Sequence, residues 1–192
     1  METRSYCFVL DHGLSAAGVW LKAIAAPVTA PATVILNDKG KKAAAAEVSD
    51  RVNRGEQVLA VDLLFTGDGA PQKPGPSDYT QMLASVGERP LGMEAAQLVG
   101  LARWLSKISG GRQVRLETTG IRSQVAARVA AALEPGLFSA VVVRDGMPSL
   151  RHLLDAPVEY QDAPDLFCLD LFKEFDLDRL AEMAMPGGRE SR

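Results

Sequence analysis

The stretch VRLETTGIRSQVAARVAAAL, Val114 to Leu133, gathers most of the side chains in this chain that could do chemistry. It holds one carboxylate (Glu117), three hydroxyls (Thr118, Thr119 and Ser123) and a guanidinium (Arg122). A hydroxyl beside an imidazole supports acyl transfer. The chain has 2 histidines, His12 and His152. Ser123 as nucleophile with His152 as base is therefore one reading. A carboxylate near the end of an apolar strand needs a partner. Arg122 or Arg144 could supply it, either as a structural ion pair or as a small-ligand pocket built from Glu117, Thr119, Gly120 and Arg122. Plainer roles stand beside these. Thr118 and Thr119 suit ordinary strand positions. Ser123 suits the first turn of a helix, where serine bonds nearby backbone groups. His152, among the leucines of PSLRHLLD, suits a helix surface or a half-buried site.

The elements that must position these residues alternate between strand and helix. ATVILN (Ala32–Asn37) is β-branched and apolar, as a buried strand requires. KKAAAAEVSDRVNRG is helical and stops at Gly55. EQVLAVDLLF is a second strand, and TGDGAPQKPGPSDYT reads as loop. GMEAAQLVGLARWLSKISGG is a long helix with Met93, Ala96, Leu101, Trp104, Leu105 and Ile108 along one face. RQVRLETT is a third strand. GIRSQVAARVAAALEPG is a helix with Ile121, Val125, Val129 and Leu133 on its buried stripe, and FSAVVVRDG is a fourth strand. PSLRHLLD, APDLFCLDLF and DLDRLAEMAM read as short helices around an extended PVEY, and PGGRESR (186–192) as a frayed tail. Strands joined by helical crossovers build a parallel sheet with helices on both faces. Ligands bind such sheets at the carboxyl ends of the strands.

Composition narrows the function classes. The 192 residues suit a single domain, and 47% hydrophobic residues exclude a disordered chain. A net charge of -3 offers no basic field for nucleic acid. No apolar run approaches the roughly 18 residues of a membrane helix. Asp11 and His12 interrupt the amino-terminal apolar stretch, so residues 1–30 read as an extension of the mature fold; the compartment stays open. Cys7 and Cys168 sit in apolar settings and read as buried, inert thiols. No Cys/His cluster has metal-ligand spacing, and neither phosphate-loop nor dinucleotide glycine motifs occur, so no metal and no cofactor are expected. Asp62, Asp68 and Asp78 read as solvated loop acids rather than a loose cation site, and Lys41-Lys42 as a solvated helix start.

PATVILNDKG…AAAAEVSDRVNRGEQVLAVDLLFTGDG, with the later RPLGMEAAQLVGLARWL, resembles the α/β-hydrolase fold, and within it the acetyl xylan esterase-like carbohydrate esterases. The likeness covers roughly Pro31 to Met185. It implies a three-layer α/β sandwich with a mainly parallel sheet. It also implies a nucleophile on a strained G-x-S-x-G turn, an oxyanion hole of backbone N–H groups, and a later acid and histidine. Aligned on that motif, VRLETTGIRS puts Thr118 and Arg122 at the small flanking positions and Gly120 at the nucleophile. NDKG (Asn37–Gly40) replaces the oxyanion run; Lys39 or Lys41 could attract an anion there, or Asp38 could favour the start of the next helix. A second register sets His12-Gly13 of CFVLDHGLSAAGVW in the oxyanion turn but leaves Ala32–Asn37 as an extra strand. The first register fits the spacing better and makes the amino segment an extra hairpin or helix packed on the sheet.

The expectation is thus a degenerate α/β-hydrolase-like domain, non-catalytic alone, with a structural or interactive role. An acetyl esterase using Ser123 and His152, or a small-ligand binding module at the strand ends, stands as the alternative. A bare sheet edge past the fourth strand favours a homodimer or an adjacent esterase-like domain as partner; nucleic acid and membrane are not expected partners.

Overall fold

The computed structural model describes residues 1–156, 158–168 and 170–185, with His12 described through its backbone alone. Six strands form one sheet in the order β1-β2-β4-β3-β5-β6. They are β1 (Glu2–Val9), β2 (Ser15–Lys22), β3 (Ala32–Asn37), β4 (Gln57–Asp62), β5 (Val114–Thr119) and β6 (Phe138–Arg144). β4, β3, β5 and β6 run parallel, and β1 and β2 form an antiparallel hairpin whose second strand pairs with β4. The helices are α1 (Ala45–Asn53), α2 (Pro76–Ser85), α3 (Pro90–Ile108), α4 (Ile121–Leu133), α5 (His152–Asp155), α6 (Leu171–Glu174) and α7 (Leu177–Met183). The result is the expected α/β sandwich in three layers.

The period-2 alternation of the strands separates two cores. Val34, Leu36, Leu59, Val61, Val114 and Leu116 point to one face, where they meet Leu98, Leu101 and Leu105 of α3 and Val125 of α4. Ile35 and Val58 point to the other, against Ala44 and Val52 beside and in α1. α4 packs between α3 and α7, and its buried surface is made mostly of alanines rather than the large residues of the expected stripe. Leu133 is exposed, as is Ala96 on α3. The physical reason is crowding. A helix with a sheet and two helices as neighbours is enclosed on several sides, and alanine permits the close approach. On α3 the buried line is instead Glu94, Leu98, Leu101 and Leu105.

Other boundaries moved. The amino segment is a hairpin, and it extends the edge of the sheet rather than lying on its face. Asp11–Gly13 forms the turn between its strands, so His12-Gly13 lies in a hairpin turn, not in the turn that follows β3. Residues 66–80, read as loop, include the start of α2, with Pro76 at its first turn, where a missing N–H costs nothing. No strand forms at Val158–Tyr160, and Pro157 lies outside the described residues, as does the tail 186–192. APDLFCLDLF supplies a 3₁₀ turn at Pro164–Leu166 and then α6. Cys7 is exposed rather than buried, since strand alternation points it away from the side on which Trp104 covers Tyr6 and Phe8; Cys168 is half-buried. Asp176 ties the carboxyl-terminal helices together. It caps α7 through Leu177 N (2.7 Å) and accepts from Leu150 N (2.8 Å) and Ser149 Oγ (2.5 Å).

The hairpin is held to the body by an aromatic cluster. Trp104 of α3 meets Tyr6 and Phe8 of β1 edge-on, with ring centroids 5.1 and 4.9 Å apart. Replacing Trp104 with Ala is expected to cost about 3 kcal/mol in urea unfolding. Amide exchange in β1 should rise more than in β3 or β5; uniform acceleration across the sheet would show that the cluster does not hold the hairpin specifically.

Candidate functional site

At the carboxyl end of β5 the chain turns through Gly120 into α4. Gly120 has φ +108°, a conformation that residues with a Cβ rarely adopt. A Cβ built there would overlap the carboxylate of Asp38. That carboxylate comes from the loop after β3 and binds the first turn of α4: Oδ2 accepts from Arg122 N (3.0 Å) and Oδ1 from Ser123 N (2.8 Å). Asp38 therefore caps α4, which is distant in sequence, and not the helical segment that follows it. It satisfies orphan N–H donors and sets a negative charge at the positive end of the helix dipole. Backbone bonds close the same junction: Asp38 N donates to Thr119 O (3.0 Å), and Gly120 N to Arg144 O (2.9 Å).

The hydroxyls and the histidine are not brought together. Ser123 is buried, and its Oγ donates to Thr119 O at 3.0 Å within its own helical turn. That uses its one proton on a backbone carbonyl. Thr118 is buried, with no hydrogen-bond partner for its hydroxyl among the described residues. His152 is exposed on α5, where its backbone N–H bonds to Ser149 O.

Glu117 and Arg122 serve separate clusters on opposite sides of the sheet. Glu117 points toward α1, where it is bound by Arg51, by Arg115 Nε (2.7 Å) and by Arg144 Nη1 (3.0 Å). Burial pushes its carboxyl up, but the hydrogen bonds of Arg115 and Arg144 and the charges of Arg144 and Arg51 outweigh this and hold it below its usual range. Arg144 is thus a partner, as expected, and Arg122 is not. Arg122 turns to the α3 side and binds Asp165 through Nε (3.0 Å) and a terminal nitrogen (2.8 Å).

Two acids overlooked in the sequence complete the α3 side. Asp165 is buried, and Glu94 is 3% exposed with no hydrogen-bond partner among the described residues. Glu94 lines a small cavity with Asn37, Thr66, Arg122 and Ser123. Burial first, and then the charges of Asp165 and Asp38, push its carboxyl well above the usual range, with Arg122 offsetting them in part. Periodicity could have found it: Glu94 stands on the same helical stripe as Leu98, Leu101 and Leu105.

The loops after β3 and β4 are locked by another acid. Asp62 is 1% exposed rather than solvated. It accepts from Lys41 N (2.6 Å), Asp68 N (2.9 Å) and Lys41 Nζ (2.5 Å), and Lys41 Nζ also binds Asp68. Lys41 is thus an internal counter-ion, neither a solvated helix start nor an open anion site. Gly40 and Gly67 pack against the Asp62 carboxylate, and a Cβ on Gly67 would overlap it. Asp78 is exposed.

Together the parallel sheet, its order and the helices on both faces define the α/β-hydrolase fold. Solved structures with this fold are similar to the chain. An epoxide hydrolase from Vigna radiata shares 15% identity over 74% of this chain and 40% of its own, with TM-score 0.55. Epoxide hydrolase A from Mycobacterium thermoresistibile shares 16% over 74% of this chain and 39% of its own, with TM-score 0.54. A cold-adapted esterase from an Arctic intertidal metagenomic library shares 14% over 86% of this chain and 68% of its own, with TM-score 0.58. The chain spans less than half the length of the two epoxide hydrolases. No family model matches the sequence, and no curated protein is detectably similar to it.

Two outcomes test this geometry. Asp38→Ala should cost about 1–2 kcal/mol as a lost cap, Asp38→Asn less, and Gly120→Ser roughly 1–3 kcal/mol from backbone strain. Chemical denaturation measures all three, and a neutral Asp38→Ala would remove the capping role. Glu94 binds a proton more tightly in the folded chain than in the unfolded one. Its contribution is therefore complete below the ordinary carboxylate range and is lost as pH rises through its folded pKa. Thermal melts between about pH 5 and 8 should show Glu94→Gln gaining on the natural chain as pH rises; parallel curves would refute the assignment.

Proposed function

We propose that this chain is an α/β-hydrolase-fold domain that does not hydrolyse esters at its elbow and that serves a structural or interactive role. Within the fold we place it beside the acetyl xylan esterase-like carbohydrate esterases, on the phrasing of the segments that follow Pro31. One observation carries the reading. The turn from β5 into α4 bears a glycine, and the helix N–H groups behind it are occupied by Asp38. Acyl transfer at an elbow needs an attacking atom at the apex and free N–H donors for the developing oxyanion. Gly120 offers no such atom, and two of the donors already bind a carboxylate, whose charge would repel an oxyanion.

The interactive side of the proposal draws on the sheet. β6 is the last strand in the sheet order among the described residues, its side chains are mostly half-exposed, and α4 is the long helix that packs on it. An unpaired parallel edge of this kind favours docking to a second copy or to an adjacent esterase-like domain.

The purified chain is expected to turn over 4-nitrophenyl acetate no faster than an equal concentration of its own Ser123→Ala and His152→Ala variants, with no acyl burst. A rate above theirs, abolished by Ser123→Ala, would reinstate the acetyl esterase with Ser123 as nucleophile and His152 as base.

A further inference from the structure

A second concavity lies beside the elbow, over the amino end of α3. Its volume is about 400 Å³, within the roughly 300–1,000 Å³ of small-molecule sites. The walls are mostly apolar: Leu91, Pro164 and the edge-on pair Tyr160 and Phe167, whose ring centroids are 5.5 Å apart. Three polar features border it. Thr80 of α2 is buried, and its hydroxyl has no hydrogen-bond partner among the described residues. A buried hydroxyl without a partner costs stability, so its retention calls for an explanation. Arg89, at the rim, bonds to the Glu88 carbonyl and forms no ion pair among the described residues. Arg89 is also the N-cap of the 19-residue α3 and makes no side-chain cap there. With Pro90 at the first position, the N–H groups of Leu91 and Gly92 have no carbonyl within the helix to bond. The one acid in the lining, Asp165, is already matched by Arg122.

We propose that this cavity binds a small monocarboxylate with an aromatic or branched apolar body. The carboxylate lies at the amino end of α3, between the Arg89 guanidinium and the Thr80 hydroxyl, and the body lies against Tyr160, Phe167 and Leu91. The chemistry of each part selects its portion of the ligand. A lone cation, a hydroxyl donor and a helix amino terminus together favour an anion with several acceptor oxygens. The apolar walls exclude a bare inorganic anion as the best occupant. Arg122 pairs with Asp165 and so reduces the repulsion that this acid exerts on the charge.

The test uses the whole chain and 4-(trifluoromethyl)benzoate, followed by ¹⁹F NMR titration, with 4-(trifluoromethyl)benzamide as the uncharged match. The acid is expected to bind saturably and at least tenfold more tightly than the amide, with affinity falling as salt rises. Arg89→Gln should weaken the acid about tenfold and leave the amide unchanged. The Arg103→Gln control should leave both unchanged, because Arg103 pairs with Glu134 on the surface. Thr80→Val should weaken the acid several-fold while holding or raising the Tm of the free protein, since it removes an unpartnered hydroxyl. Equal affinity for acid and amide, or unchanged binding in both Arg89→Gln and Thr80→Val, overturns the proposal. A free acid cannot be turned over as an ester, so this result is independent of elbow activity. Ester turnover would sink the non-hydrolytic reading and leave this site standing.

Discussion

The carboxylate of Asp38 on the first turn of α4 is the contact around which the strand-end surface is arranged. It joins the loop after β3 to the turn after β5, two segments that are neighbours through the parallel pairing of their strands. Its presence dictates a glycine at position 120, because any Cβ there would overlap it. It also places a negative charge near Arg122, Glu94 and Asp165, and adds a little to the upward push that burial and Asp165 give the Glu94 carboxyl. One side chain thus sets the backbone conformation at the turn and the start of a helix, and adds a minor share to the field at a buried acid. Two charged groups that look available in the sequence are likewise spent internally, with Lys41 closing on Asp62 and Arg122 on Asp165.

This arrangement bears on what the fold can be used for. A helix amino terminus at the carboxyl end of a parallel sheet attracts anions. At α4 the anion is part of the chain. At α3 the cap is Arg89, which offers a cation instead of an acceptor, so that end stays open to an external anion. The proposed loss of elbow chemistry and the proposed carboxylate site are two uses of one physical feature, an unsatisfied row of N–H groups. They differ in whether the protein or a ligand satisfies it.

Much of the fold was legible in the sequence because it depends on short-range periodicity. The apolar run at Ala32–Asn37 matches its strand, the runs read at 112–119 and 138–146 contain β5 and β6, and the breaks at Gly55, Gly110-Gly111 and Pro135-Gly136 lie just past the ends of helices. Burial on α4 was misjudged because large residues were counted, whereas a helix enclosed by a sheet and two helices buries its alanines. Cys7 was misjudged for the converse reason. An apolar neighbourhood in sequence says nothing about whether a second layer covers that side of the strand. Of the candidate site, Gly120 at the turn and Ser123 in the first turn of α4 could be read locally; for Glu117 the sequence left Arg122 and Arg144 both open, and the structure pairs it with Arg144. The Asp38 cap, the Arg122–Asp165 pair and the isolation of Glu94 could not, since each joins segments far apart in the chain.

The sequence by itself determined the alternation of strand and helix, the parallel sheet that follows from it, and the glycine at the β5–α4 turn. Those are consequences of local pattern and of residue identity. Tertiary structure alone decided which charges are used up and which remain open. A carboxylate's partner depends on which loops the sheet order sets side by side, and the order β4-β3-β5 places Asp38 beside Gly120 and Lys41 beside Asp62.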